Sequence, residues 1–298
     1  MNAVTIKIIA AADIVREVPM EVFEALPIYN HPEFLNIIAP KRSFYARILN
    51  SKGNIAYFPF AGQNLIFKWR VFQISFCQKF KPFSIKGEPD AEHWNIWLKF
   101  LKGKTINARW PTPDLPNFVS ALHPKAKIKI NQILYLNKDF QVLTNDWKPN
   151  RKSALNKSKH LIVKQQTDID FTNALQTCIS KSGMNRWKPS KREIKIIERI
   201  SSNTFLKNQI MRFSVLDKEQ ILNSVLLIKW AGSVHYLVSV SSNEGYKLEA
   251  LTRFFYHFLE SNSGQHLTFD FEGSSISGIQ QFYFSLGAIA EQYFVIES

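Results

Sequence analysis

Between residues 234 and 288 the chain changes its hydrophobic period three times, in an order that leaves few folds open. VHYLVSVS alternates as a half-buried strand does, and SNEGYK then supplies a polar turn. In LEALTRFFYHFLE, Leu248, Leu251, Phe255 and Phe258 recur at helical spacing, and Phe254 and Leu259 widen the stripe. LTFDFEGSS returns to a strand pattern and SGIQQFYFSLGA closes with a short aromatic helix. Two strands joined through a helix predict a cleft where their C-terminal ends splay apart.

The residues around that cleft have types suited to chemistry. Read as one strand, Asp270 and Glu272 point to the same face, with Phe269 and Phe271 on the apolar side. Two carboxylates on one face are costly unless solvated or paired, and their mutual repulsion raises the pKa of one of them towards that of a useful base. Ser241, Ser242 and Asn243 are all good N-caps, and Gly245 would let backbone approach a ligand. Amides at that helix start suit an anion, and Lys247 and Arg253 add positive charge. The expected groove is lined by Tyr236, Ser241, Asn243, Gly245, Asp270, Glu272 and Ser274. A structural reading stands beside each of these: an ordinary strand-turn-helix, and carboxylates that cap a helix or pair with a lysine.

The 298 residues, 45% of them hydrophobic, suffice for two domains. Every candidate membrane span is interrupted by charge, and IKIIAAADIV, with Asp13 inside it, reads as a strand entering a helix rather than a leader. Cys77 and Cys178 form no CxxC, which predicts a reducing, cytoplasmic setting without disulfides. The seven histidines show no metal-ligand spacing, so no metal is expected, and the GxSxG, P-loop and GxGxxG signatures are missing. A net charge of +14 points to acidic partners: nucleic acid, phospholipid or a phosphate-rich cofactor. Because the cations are spread over many elements, a solvated basic surface explains them equally well, and no sequence-specific nucleic-acid site is expected.

The first half reads as mixed α/β. SFYARILN, NIAYFPFAG, VFQISFCQKF and AKIKINQILYLN are strand-like, and AEHWNIWLKFLKG is a helix with Trp94, Trp97, Leu98 and Leu101 on one face and Gly103 closing it. Residues 144 to 160 are polar and dense in Lys and Arg, which predicts a junction between domains 1–148 and 149–298.

FDFEGSSISGIQQFYFSLGA resembles the closing strand and helix of the FemAB-like branch of the GNAT acyltransferase superfamily. The match falls on Asp270, Glu272, Gly273, Ser274, Gly278, Ile279, Phe282 and Leu286-Gly287-Ala288. YNHPEFLNII, FCQKFKPF and the basic run from Arg151 to Lys159 also resemble that branch, so the likeness covers most of the chain. It implies an α/β (α+β) fold of two tandem GNAT-like domains, each with a mixed, largely antiparallel sheet flanked by helices. The acceptor would lie on the side of the first domain and the acyl donor on that of the second.

It further implies an N-acyltransferase that uses acyl-CoA as cosubstrate, with no tightly bound cofactor, and a small-molecule or peptide amine as acceptor. Glu272 or Asp270 would act as base and Tyr283 as proton donor to the leaving group. Val238, Ser239, Ser241, Ser242, Asn243, Gly245 and Lys247 would hold the donor, and Tyr236, Ser274 and Gln78 the acceptor. SNEGYKLEA keeps only Gly245 of the superfamily's pyrophosphate loop. That departure keeps two alternatives open: a FemX-type aminoacyl-tRNA-dependent transferase of cell-wall peptide synthesis, and a non-catalytic binding protein on a degenerate fold.

Overall fold

In this computed structural model, residues 3–297 are described apart from 67, 107, 117–125, 185–187 and 274–275. The chain divides into two units, one comprising Met1–Lys129 and Gln292–Ser298, the other Ile130–Glu291. In the first unit, β1 (Thr5–Ala10), β2 (Ser43–Leu49), β3 (Ile55–Leu65), β4 (Lys68–Val71) and β5 (Thr105–Ile106) form a sheet in that order. All its pairings are antiparallel except β4 with β5. The helices are α1 (Met20–Glu24), α2 (Pro32–Ile38) and α3 (Ala91–Gly103).

The start of α3 is set by Asp90, whose carboxylate accepts from the amides of Glu92 and His93 at 3.1 Å. The expected face is buried: Trp97 lies with its ring centroid 5.5 Å from Phe58 and 5.4 Å from Trp110. Burying such a ring contributes roughly 2–3 kcal/mol. VFQISFCQKF does not form the expected strand; only Val71 of it belongs to β4. Phe76 has a φ of 63°, a left-handed conformation that breaks the pleat and that bulky residues rarely adopt.

After β6 (Arg109–Thr112) and β7 (Ala126–Tyr135) come α4 (Phe140–Asn145) and α5 (Pro149–Ser158), then β8 (Ile162–Gln165), α6 (Asp168–Ser180) and α7 (Lys191–Ser201). β9 (Ile210–Asp217), β10 (Gln220–Trp230) and β11 (Ser233–Ser241) run as an antiparallel meander. Two helices follow, α8 (Asn243–Lys247) and α9 (Ala250–Asn262), then β12 (Thr268–Asp270), α10 (Ser277–Ser285) and β13 (Ile289–Glu297). The larger sheet has the order β6-β13-β7-β12-β11-β10-β9-β8, and β11 with β12 is parallel. On one face Phe254, Phe255 and Phe258 of α9 pack into a core with Tyr236, Phe269, Phe271 and Tyr283. No helix among the described residues is long and apolar enough to cross a membrane.

The boundary differs from the one expected at 148/149. The basic stretch forms α5 inside the second unit, and the division falls in the middle of β7 and again within β13. A strand crossing between units needs no turn residues, so its composition carries no boundary signal.

His31 is buried at the start of α2, where its Nδ1 accepts from the Glu33 amide at 3.3 Å. Burial lowers its pKa from 6.5 to about 4. The neutral form is the native one, so its stabilising contribution is complete above pH 6.5 and is lost as pH falls to about 4. We expect unfolding free energies from denaturant titration to fall across that window, by on the order of 3 kcal/mol at most, and their slope with pH to flatten in His31→Asn.

Candidate functional site

Alternation decides what faces what. In β11, Val234 and Tyr236 enter the aromatic core, so His235 points to the other face. Phe269 and Phe271 do the same for Asp270, and Leu134 and Leu136 for Asn131 and Ile133. The register then aligns His235 with Asp270 and Asp270 with Ile133, one row across three strands. Asn131 lies two residues along and donates from Nδ2 to Asp270 Oδ1 at 2.9 Å and to Glu291 Oε2 at 3.3 Å.

Glu272 reaches this row by a different route from the one expected. β12 ends at Asp270, and Glu272 and Gly273 take positive φ, 58° and 54°. The Glu272 amide donates to Asp270 Oδ1 at 2.8 Å, closing the turn, and its carboxylate folds back to lie 2.7 Å from His235 Nδ1. The two acids therefore meet through a turn and are not alternate residues of one strand. Gly273 is required there, since a Cβ would lie 2.9 Å from the Ile130 carbonyl. The His235 and Glu272 side chains are only 7% and 11% exposed. Ligand atoms of His235, Asp270 and Glu272 lie within 4.8 Å of one another, a grouping that suits a divalent cation, although the His235–Glu272 contact engages two of them with each other.

The strands part at this row. β12 pairs with β11 only from Ser233 to His235, while β11 continues to Ser241. Opposite β10 the register passes from Leu226↔Val238 to Leu227↔Tyr236, which makes Leu237 the extra residue of a β-bulge. A bulge bends its strand and increases the twist, a physical reason for the parting.

The expected donor residues lie beyond this point. Val238 is buried, and Ser239 and Ser241 receive hydrogen bonds from Asn223 Nδ2 at 2.8 and 2.7 Å. Ser242 caps α8 by accepting from the Gly245 amide at 3.0 Å. Asn243 is exposed and its amide donates to the Lys181 carbonyl, while exposed Lys247 pairs with Glu244 at 3.2 Å. Gly245 does not face a ligand. A Cβ there would lie 2.2 Å from the Leu222 carbonyl oxygen, so it serves the close approach of α8 to β10. The helix expected to start beside it starts at Ala250 instead, after Glu249 at φ 58°. Glu249 Oε2 accepts from Arg151 Nη1 at 2.9 Å and from Thr252 at 3.1 Å, which puts a carboxylate at the first turn of α9.

Tyr236 is a core residue rather than a groove residue, its ring centroid 5.6 Å from Phe255 and 6.0 Å from Phe269. Tyr283 stacks 4.4 Å from Phe271. Burial, with the nearby Tyr246 and Glu272, pushes its hydroxyl pKa well up, so it keeps its proton. Cys178, 3.6 Å from Ser224, is pushed up to about 11 by burial and is a core thiol. Ser274 lies outside the described residues. Gln78 lies in the first unit, on the wall of a cavity of about 620 Å³.

His235, Asn131 and Glu291 escaped the sequence reading. Asn131 and Glu291 are 139 and 160 positions from their partners, and His235 sits in an apolar run where a core histidine is the ordinary expectation.

No protein-family model matches the sequence, and no curated protein matches it. Solved structures do match. A structure of FemX aligns with a TM-score of 0.61 at 14% identity, covering 97% of this chain and 95% of its own. The C-terminal domain of a putative lysylphosphatidylglycerol synthetase from Agrobacterium fabrum aligns at 0.57 and 10% identity, covering 96% and 92%. A tandem GNAT protein from the clavulanic acid biosynthesis pathway aligns at 0.52 and 10%, covering 99% and 98%. At these identities the likeness establishes the fold: a two-domain, GNAT-like α/β architecture with two helix-flanked sheets.

Replacing Gly245 with alanine should destabilise the protein by roughly 2–4 kcal/mol in chemical denaturation, because backbone rather than a flexible side chain meets the new methyl. A loss under 0.5 kcal/mol would show that α8 can move away from β10.

Proposed function

We propose that the chain is an acyltransferase moving an acyl or aminoacyl group from an activated ester or thioester to an amine. The observation that carries this reading is the His235–Glu272 pair at the point where β11 and β12 stop pairing. With Glu272 ionised, the 2.7 Å contact makes Nδ1 the donor, so a proton taken up by the imidazole goes to Nε2. The base is then the imidazole, with Glu272 orienting it and stabilising the imidazolium. Asp270 holds the turn through the Glu272 amide and Asn131.

In this scheme the amine nitrogen attacks the donor carbonyl and loses its proton to His235. Backbone amides from Val238 to Ser241, on the side of β11 that β12 has left, stabilise the oxyanion. As the C–S or C–O bond breaks, the proton taken up by His235 passes to the leaving thiol or hydroxyl, so the amine's proton departs with it. The acceptor is a small-molecule or peptide amine.

An acyl-CoA donor is the reading that the sequence resemblance implied. An aminoacyl-tRNA ester is the second, and one observation favours it. The α9 start is occupied by the Glu249–Arg151 ion pair, which offers a CoA pyrophosphate no uncommitted positive charge. The excess of cations, +14 overall, suits a polyanionic carrier.

A thermal-shift screen of acetyl-CoA, free CoA and tRNA, followed by transfer assays with labelled donor and a panel of amines, tests this. We expect His235→Gln to lower kcat about 100-fold or more with little change in donor KM. Glu272→Gln should move the acid limb of the pH–rate profile to lower pH, since the imidazolium loses its anion. Full turnover in His235→Gln would remove the proposed base. A fold that neither stabilises with nor transfers from any donor would instead favour the binding-protein reading.

A further inference from the structure

The cavity of about 620 Å³ in the first unit has a wall chemistry that the transfer reaction does not use. Arg70, on β4, and Arg109, on β6, both line it and both are exposed. Among the described residues, Arg70 makes no ion pair and no side-chain hydrogen bond. Arg109 reaches Glu297 only at 4.0 Å, and Glu297 is held more closely by Lys127 at 2.5 Å. Opposite charge is thus available at the mouth with little of it committed. Deeper in the wall, Gln78 Oε1 is buried without a hydrogen-bond partner among the described residues. A buried amide oxygen left unmatched is costly, and a ligand donor would relieve that cost. Phe72 and Phe76 supply an apolar side, and Phe76 holds its place at a φ of 63°, a strained backbone of the kind that collects at ligand clamps.

We infer that this cavity is a binding site for a small organic oxyanion bearing an N–H or O–H group. The guanidinium groups of Arg70 and Arg109 take the carboxylate or phosphate, and Gln78 Oε1 accepts from the neighbouring donor. The aliphatic or ring portion lies against Phe72 and Phe76. The two arginines fit because the planar guanidinium offers paired donors to two oxygens of one anion. The amide acceptor confers selectivity, since a ligand lacking the donor leaves Oε1 buried and unmatched.

Two matched pairs of probes separate the sources of the oxyanion. N-acetylglycine is compared with its neutral amide, and glycerol 3-phosphate with glycerol, by titration calorimetry at low ionic strength on the full chain. The expected result is binding of one or both anionic probes, none of the neutral ones, and weakening with added salt. Arg70→Ala should reduce the affinity about 10-fold or more, Arg70→Lys should restore part of it, and Gln78→Leu should weaken the probe in the same direction. Arg70 is exposed, so its variants should keep the native melting temperature, which is to be measured alongside. Carboxylate binding alone or phosphate binding alone identifies the class of ligand, and each supports the site. Equal binding of anionic and neutral probes, no binding of either anion, or unchanged affinity in Arg70→Ala overturns it. None of these readouts requires turnover, so the site stands or falls apart from the acyl-transfer reading.

Discussion

Burial of Phe269 and Phe271 against Phe255, Tyr236 and Tyr283 dictates where the polar groups of β12 can go. The Phe255–Phe269 and Phe255–Phe271 centroid distances are 5.7 and 5.5 Å, and each ring contributes roughly 2–3 kcal/mol by leaving water. A strand has only two faces, so anchoring its odd residues in the aromatic layer commits Asp270 to the other face. The parallel register with β11 then brings His235 alongside it, and the antiparallel register with β7 brings Asn131 within reach. The site is in this sense a consequence of the core beneath it.

Several members of the polar row hydrogen-bond to one another. Asp270 Oδ1 accepts from both Asn131 and the Glu272 backbone, and Glu272 answers His235. Charges held at so low an exposure would otherwise be costly. The geometry also divides the labour between two acids of similar chemistry. Asp270 shapes a turn whose left-handed residues no strand could contain, and that turn is what sends Glu272 back to the imidazole. The bulge at Leu237 completes the arrangement by bending β11 at the residue pair where its partner strand ends.

The segment after β11 shows how little a retained glycine says by itself. Gly245 is needed, but for packing against the Leu222 carbonyl, and the first turn of the long helix is filled by Glu249 with Arg151 and Thr252. The strand-helix-strand frame persists while the start of the long helix holds the Glu249–Arg151 ion pair.

Much of the fold was legible in the residues because it follows from local periodicity. The α3 span, strand β11, the aromatic stripe of α9 and the acid-bearing β12 all come from patterns a few residues long. The final strand, Ile289–Glu297, has no local signal that sets it apart, and the strand-like pattern of 72–80 forms no strand. Both depend on tertiary partners, through pairing to distant chain in one case and a positive φ at Phe76 in the other. The candidate site was half legible. Asp270 and Glu272 carry their chemistry in their residue types, while Tyr283, equally visible in the sequence, lies in the aromatic core. His235, Asn131 and Glu291 join them only through sheet register, and the turn at Glu272 and Gly273 only through a left-handed backbone. Sequence determines residue type and local period on its own; which side chains meet across strands more than a hundred residues apart is decided only when the sheet closes.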